Sequence, residues 1–196
     1  SEEASSARAI ELAVRALQNR ELDRVLAGGV DLAGDPRLVI PGNIRTPGEG
    51  AAAFILKRLD DAERDGDRVY AVIAGTGVAN SNDAAAARAC DDAKIEFSTI
   101  GLADGFEGDF TARAVGEVGA ASGAAMLARA CLALHHEIQP ETRSHWLHDS
   151  AQGPRRALMA SRGADGTHVS FVLEESTKKP VAEAAGDWNE ALFAIE

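Results

Sequence analysis

The sequence is poor in the residues that carry thiol and imidazole chemistry. It has two cysteines, Cys90 and Cys131, and the first of its five histidines is His135. Both cysteines fall in helical patterns, where a lone cysteine is typical of a small buried hydrophobe. We therefore expect free thiols in a reducing cytosol rather than a disulfide, and a cytoplasmic location.

The chain also lacks an excess of positive charge and a long apolar run. Its formal net charge is −11 and its pI is near 4.9. This disfavours a nucleic-acid partner, because a surface that binds phosphates must be basic. Glycine or charge interrupts every apolar run, so we expect no membrane-spanning segment. The first residues, Ser1-Glu2-Glu3, are unlike the basic start of a signal peptide.

What the sequence does contain is a succession of helix and strand patterns. Helices are predicted at 4–20, 83–93 and 120–137, and strands at 24–32, 69–79, 94–102, 155–163 and 167–176. Residues 51–67 begin as an apolar strand and end as a polar turn. Continuous apolar strands mixed with helices predict a layered α/β core.

Four segments resemble β-ketoacyl synthases and follow one another in the order of that family. They are EASSARAIELAVRALQNRELDRVLAGGVD at 3–31, GEGAAAFILKRLDDAERDGDRVYAVIAGTGV at 48–78, VGEVGAASGAAMLARACLALHHEIQP at 115–140 and GPRRALMASRGADGTHVSFVLEE at 153–175. Together they cover most of the chain. They are most similar to the ketosynthase-like modules of polyunsaturated-fatty-acid synthases and related iterative polyketide synthases.

The resemblance implies a thiolase fold, a layered α/β/α/β/α arrangement, shortened relative to a full ketosynthase. We expect residues 1–176 to form the ketosynthase-like domain. Residues 177–196 are expected to be a linker and the start of a following unit, GDWNEALFAIE. The first strands of the fold have no counterpart in the sequence. Either another part of a parent protein supplies them, or a smaller core stands alone.

The resemblance also gives positions for the catalytic residues of the family. The nucleophilic cysteine aligns with Glu3, and the first catalytic histidine with Gly101. The lysine that supports the second histidine aligns with Ala112, and that histidine itself aligns with Glu117. None of these positions keeps the residue of the family. They are degenerate former-site positions, and we predict no catalytic residue.

The replacement residues do not support the condensing reaction. A carboxylate lacks the nucleophilicity that a thiolate brings to thioester exchange. Two carboxylates in one partly buried pocket, Glu3 and Glu117, would repel unless one held a proton. No cysteine precedes Cys90 and no histidine precedes His135, so this conclusion does not depend on the alignment register.

No cofactor or metal site is predicted from the remaining motifs. GTGVAN at 75–80 lacks the third glycine and the helix start of a dinucleotide site. A zinc site among the histidines is less favoured than surface or interface histidines. The acidic loop Asp104–Asp109 does not have the spacing of an EF-hand, which favours a solvated turn over a calcium site.

Three functions remain open. The first is a non-catalytic homologue that resembles a chain-length factor and pairs with an active ketosynthase. The second is a scaffold within a multidomain fatty-acid or polyketide synthase, beside an acyltransferase domain and an acyl carrier protein. The third is an enzyme with a repurposed site, for acyl transfer or thioester hydrolysis, with Ser5 or Ser122 as candidate nucleophiles. We expect a homodimer or heterodimer in the first two cases.

Overall fold

The structure is a computed structural model, and it describes residues 4–32, 47–106, 110–163 and 165–176. The helices are α1 (Ser5–Gln18), α2 (Leu59–Asp65), α3 (Asn82–Ala93), α4 (Phe110–Val115) and α5 (Ser122–His136). The strands are β1 (Arg24–Asp31), β2 (Gly50–Lys57), β3 (Ala71–Ala79), β4 (Leu102–Asp104), β5 (Ile138–Gln139), β6 (Ser144–His145), β7 (Arg156–Arg162) and β8 (His168–Glu175).

Two sheets enclose a layer of two helices. β1 and β2 form an antiparallel pair, and the larger sheet has the strand order β3-β8-β7-β4. In the larger sheet only the short β4 runs parallel to its neighbour, β7. The helices α1 and α5 lie between the sheets and contact both of them, while α3 covers the other face of the larger sheet. The architecture is therefore the layered α/β core that the resemblance implied.

The sequence pattern of the middle helices explains their position. In α1 the buried side chains recur every three or four residues and include Ile10, Val14 and Leu17, which places one apolar stripe toward the core. In α5 the stripe is wider, and Ala124, Leu127 and Leu134 among others are buried. A helix with small and apolar residues on most of its faces fits between two sheets.

Glycine lets α3 approach the larger sheet very closely. A Cβ at Gly75 would lie 2.2 Å from the Ala89 carbonyl oxygen, and one at Gly77 would lie 2.0 Å from the Ala85 carbonyl oxygen. Both alanines are fully buried. The GTG sequence of β3 therefore serves helix packing.

The strand predicted at 94–102 is wrong. Residues Phe97–Thr99 form a 3₁₀ turn, and the strand that follows is the short β4, Leu102–Asp104. The polar turn expected at the end of 51–67 is the helix α2. The other predicted helices and strands are confirmed to within a few residues. The tail at 177–196, expected to be a linker and the start of a following unit, lies outside the described residues. Among the described residues, no helix is long and apolar enough to span a bilayer.

Candidate functional site

The first turns of α1 and α5 meet at the centre of the molecule. The backbone N–H of Ala124 donates a hydrogen bond to Ser6 Oγ at 3.1 Å, and Ser6 is 1% exposed. A Cβ at Gly123 would lie 2.6 Å from Ala7 Cβ, so only glycine permits this approach. Ser6 thereby satisfies an amide of α5, whose own N-cap residue, Ala121, makes no side-chain cap.

A second side chain from the first half of the chain holds the entry to α5. Asp31, at the end of β1, accepts a hydrogen bond from the Ala120 N–H at 2.8 Å. Its carboxylate lies so close to Gly119 that a Cβ there would be 2.2 Å from Asp31 Oδ2. Negative charge at the start of a helix is favourable because of the helix dipole. Sequence reasoning missed both Ser6 and Asp31 as supports of this helix start.

Glu117 lies on the loop that leads into this helix start. Its carbonyl oxygen accepts a hydrogen bond from the Gly48 N–H at 3.0 Å, which places it beside the chain that enters β2. The residue is exposed. This differs from the partly buried position that the sequence predicted for Glu117. Glu3, its expected partner, lies outside the described residues.

Gly101 and Ala112 occupy positions around the short strand β4. Gly101 precedes β4, donates its N–H to the Arg156 carbonyl oxygen at 3.0 Å and packs beneath Trp146, whose nearest ring atom would lie 2.7 Å from an added Cβ. Ala112 lies in α4, where its carbonyl oxygen accepts the Gly116 N–H at 2.8 Å. β4 spans Leu102–Asp104, so the turn that follows this strand starts at Gly105, whose φ is +85°. No imidazole fits at Gly101 unless Trp146 moves.

Asp104 is a charged centre that sequence reasoning missed. It is 1% exposed and accepts hydrogen bonds from the backbone N–H groups of Phe110 at 2.8 Å and Thr111 at 3.1 Å, which are the first residues of α4. Thr111 Oγ1 donates to it at 2.6 Å, and Arg129 Nη1 lies 2.8 Å away. The predicted solvated turn at 104–109 is therefore wrong at Asp104; residues 107–109 lie outside the described part.

The Asp104–Arg129 pair connects the strand β4 with the helices α4 and α5. Arg129 projects from α5, and its side chain is 18% exposed. Its guanidinium lies 5.6 Å from the centre of the Phe110 ring, and that of Arg113 lies 4.3 Å from the same ring. The pair fixes the end of β4 and the start of α4 against α5. The sequence signal for this ion pair was an acidic residue, Asp104, at the end of a strand and directly before a glycine.

Neither cysteine has the environment of a nucleophile. Cys131 lies in the second half of α5, and burial raises the pKa of its thiol to about 12. Cys90 lies near the end of α3, where burial and the charge of Asp91 raise its pKa. A reactive thiolate needs the opposite conditions, a helix N-terminus or a nearby cation. Neither middle helix begins with a cysteine: α1 begins at Ser5 and α5 at Ser122.

Three of the five histidines make ring contacts or a hydrogen bond, whereas His168 Nδ1 is buried without a hydrogen-bond partner. The His135 ring lies 4.8 Å from the Tyr70 ring and 5.0 Å from the His136 ring, and His148 Nε2 lies 2.8 Å from the Gly153 carbonyl oxygen. Among the described residues, no group of three or more histidine, cysteine, aspartate or glutamate side chains could hold a metal ion.

The paired helices between two sheets, with the GEVGAASG loop leading into the second helix, define a ketosynthase-like core. The β-ketoacyl synthase N-terminal domain family matches residues 1–41. The chain is 28% identical to a mycocerosic acid synthase-like polyketide synthase of Mycolicibacterium smegmatis, over 92% of this chain and 12% of that protein. The resemblance to ketosynthases is confirmed, and the relatives are polyketide synthases.

Solved structures show the same fold. A ketosynthase domain of oxazolomycin synthesis from Streptomyces albus matches with a TM-score of 0.76 and 22% identity, over 92% of this chain and 46% of that chain. A type II ketosynthase in complex with its acyl carrier protein matches with a TM-score of 0.67 and 18% identity, over 88% of this chain and 61% of that chain. The chain thus spans about half of these ketosynthases and a small part of its curated relative.

Proposed function

We propose that this chain is a non-catalytic ketosynthase-like domain that works as a scaffold, or as a partner resembling a chain-length factor, in a polyketide or fatty-acid synthase. The observation that carries the proposal is which groups fill the contact between the first turns of α1 and α5. The buried hydroxyl there, Ser6 Oγ, caps the Ala124 amide, and glycine and alanine fill the rest of the junction. The residues at this contact between α1 and α5 therefore serve helix capping and close packing.

The thiols support the same conclusion. A condensing enzyme must hold its acyl chain on a nucleophile. Both thiols of the chain are away from the junction, and their pKa values are raised, so almost no thiolate is present at neutral pH. Glu117 is exposed, and a carboxylate in water is a weak nucleophile toward a thioester. These residues cannot replace a cysteine and a histidine.

The proposed partners are an active ketosynthase, an adjacent acyltransferase domain and an acyl carrier protein. The middle helices and part of each sheet are present, so the chain can present part of a ketosynthase surface without performing the reaction. The solved complex of a ketosynthase with its carrier protein supports a carrier protein as a binding partner for this type of surface. In this role the chain would brace the assembly and hold neighbouring domains in place.

The catalytic half of the proposal is tested by mass spectrometry of the intact protein. The chain is incubated with an acyl thioester and malonyl-carrier protein, with an active ketosynthase in parallel as the positive control. We expect no covalent acyl adduct and no condensation product from this chain. An adduct that maps to Ser5, Ser122 or either cysteine would overturn the non-catalytic assignment in favour of a repurposed acyl-transfer site.

The binding half is tested separately. The chain is mixed with an acyl carrier protein, and in a second sample with an active ketosynthase, and each mixture is separated by size-exclusion chromatography with light scattering. We expect a complex with at least one of them. If the chain elutes alone from both mixtures and leaves the elongation rate of the ketosynthase unchanged, the scaffold role is wrong even where no adduct forms.

A further inference from the structure

We propose that Arg162 and His168, at the hairpin end of β7 and β8, bind the carboxylate group of a small monoanionic ligand. The two residues are paired directly across the strands. Arg162 is exposed, and within the described part of the chain its guanidinium has no ion-pair or hydrogen-bond partner. The chain has 31 acidic residues against 20 basic ones, so an arginine that no described carboxylate neutralises is available to an anion from outside.

Strand alternation places both side chains on the face of the larger sheet that α3 covers. Successive side chains of a strand point to opposite faces, so residues four apart share a face. Leu158 of β7 and Val172 of β8 pack with buried residues of α3. Arg162 lies four residues after Leu158, and His168 lies four residues before Val172. The Arg162–His168 row therefore lies on the opposite side of the sheet from the contact between α1 and α5.

The N-terminal end of α3 lies next to this row. Asn82, the first residue of α3, donates from Nδ2 to the Gly105 carbonyl oxygen at 3.0 Å. A Cβ at Gly105 would lie 1.9 Å from the Ala160 carbonyl oxygen, and Ala160 is paired with Ser170. The Asn82 side chain therefore ends beside the Ala160–Ser170 row, and the Arg162–His168 row is the next one toward the end of the sheet. The unpaired N–H groups at a helix start favour an anion there.

Two polar atoms on the same face have no hydrogen-bond partner within the described residues. They are His168 Nδ1, which is buried, and Ser170 Oγ, whose residue is 0% exposed. A buried polar atom without a partner is unfavourable, and a ring nitrogen that carries a proton can donate to a carboxylate oxygen. The His168 ring is partly exposed, and Ala79, its other cross-strand neighbour, is buried. A ligand can therefore reach the ring from the side of Arg162.

The charges near the row favour a carboxylate over a phosphate. Asp83, in the first turn of α3, offsets the partial positive charge of that helix end. Asp165, in the hairpin loop, accepts the Thr167 N–H at 3.0 Å and does not pair with Arg162. The charge left for a ligand is about that of one guanidinium, which balances a single negative charge. The two parallel N–H groups of a guanidinium also match the two oxygens of a carboxylate.

The test is an NMR titration of the whole chain with sodium propionate at neutral pH and constant ionic strength. We expect saturable shifts of the Arg162 Nε–H signal and of the His168 ring signals. Propionamide has the same shape without the charge and should cause no such shifts. Inorganic phosphate, in a third titration, should bind more weakly than propionate. The absence of saturable shifts with propionate, an equal response to propionamide, or tighter binding of phosphate would each overturn the proposal.

Matched variants separate this site from a general effect of charge. Arg162→Gln should weaken propionate binding about tenfold or more, the usual effect of losing a hydrogen bond to a charged group. Arg143→Gln removes the same charge from an exposed position between β5 and β6 and should leave the affinity unchanged.

Two further variants examine the roles of the guanidinium and the imidazole. Arg162→Lys keeps the charge but loses the paired N–H groups, so its affinity should lie between those of wild type and Arg162→Gln. His168→Leu should weaken binding while the Arg162 signal still shifts. An affinity that neither Arg162→Gln nor His168→Leu weakens, or that Arg143→Gln weakens equally, would show that this row does not bind the carboxylate. The outcome does not depend on whether the chain is catalytic, because the row lies apart from the contact between α1 and α5.

Discussion

Ser6 Oγ accepts the backbone N–H of Ala124 at 3.1 Å, across a sequence separation of 118 residues. The hydrogen bond connects the first turn of α1 to the first turn of α5. Because Ser6 is 1% exposed, no solvent molecule replaces its oxygen if the hydroxyl is removed. The relationship between these two residues therefore controls how the two middle helices fit together.

Ser6→Ala should destabilise the protein by about 1–2 kcal/mol, the usual cost of a lost cap and an unsatisfied buried amide. Urea unfolding followed by circular dichroism gives the free energy of unfolding. Ser150→Ala is the control, since Ser150 is exposed on a surface turn, and it should change that free energy by less than about 0.5 kcal/mol. Equal stabilities for Ser6→Ala and the control would show that the Ala124 amide finds another acceptor.

Asp104→Asn should destabilise the protein by about 3 kcal/mol or more, because it removes the charge that faces Arg129 in a buried site. The exposed Asp83→Asn is the matched control; Asp83 lies in the first turn of α3, so its change should cost no more than about 1 kcal/mol. The same unfolding measurement on the double variant Asp104→Asn/Arg129→Met should give less than the sum of the two single costs. Strict additivity would mean that the two side chains do not interact.

Cys131 should react with iodoacetamide at pH 8 about 1,000-fold more slowly in the folded than in the unfolded protein. The reason is that burial raises the pKa of its thiol from 9.0 to about 12, and only the thiolate reacts. The rate is measured by peptide mass spectrometry with and without urea. Rapid labelling of Cys131 in the folded chain would contradict the burial of this thiol.

The same pKa difference has a consequence for stability at high pH. The folded-state pKa is raised, so the contribution of Cys131 is fully present below pH 9 and is lost as the pH rises toward 12. Urea midpoints of wild type and Cys131→Ala should therefore converge between pH 8 and 10.5. Parallel curves over this range would show that the thiol is already ionised, or already exposed, in the folded state.

The elements with a strong periodic pattern were predicted well from the sequence, and the irregular ones were not. α1 carries one apolar stripe, and β3, β7 and β8 are rich in apolar residues. In each of them the local pattern of apolar side chains is enough to specify a helix or a strand. The segment KIEFSTIGL at 94–102 alternates like a strand, but Ser81 and Asn82 start a helix whose end at Lys94 turns the chain into a 3₁₀ turn. Hydrophobic pattern alone does not show such a tertiary constraint.

The site could be predicted only in part, for a similar reason. The absence of an early cysteine or histidine can be read directly from the sequence. The roles of Ser6, Asp31 and Asp104 cannot, because each acts on an amide or guanidinium that lies far away in the chain. A short polar side chain at a strand or helix end has many possible partners, and only the fold selects one.

The pairing of β3 with β8 has a consequence for synthesis on the ribosome. The register joins Ala71–Ala79 to His168–Glu175, so β3 and the helix that covers it emerge long before their neighbouring strand exists. Until then the nascent chain carries an unpaired apolar strand, which is prone to misassociation. We conclude that the larger sheet cannot form stepwise as the chain emerges, and that it forms after β8 leaves the exit tunnel.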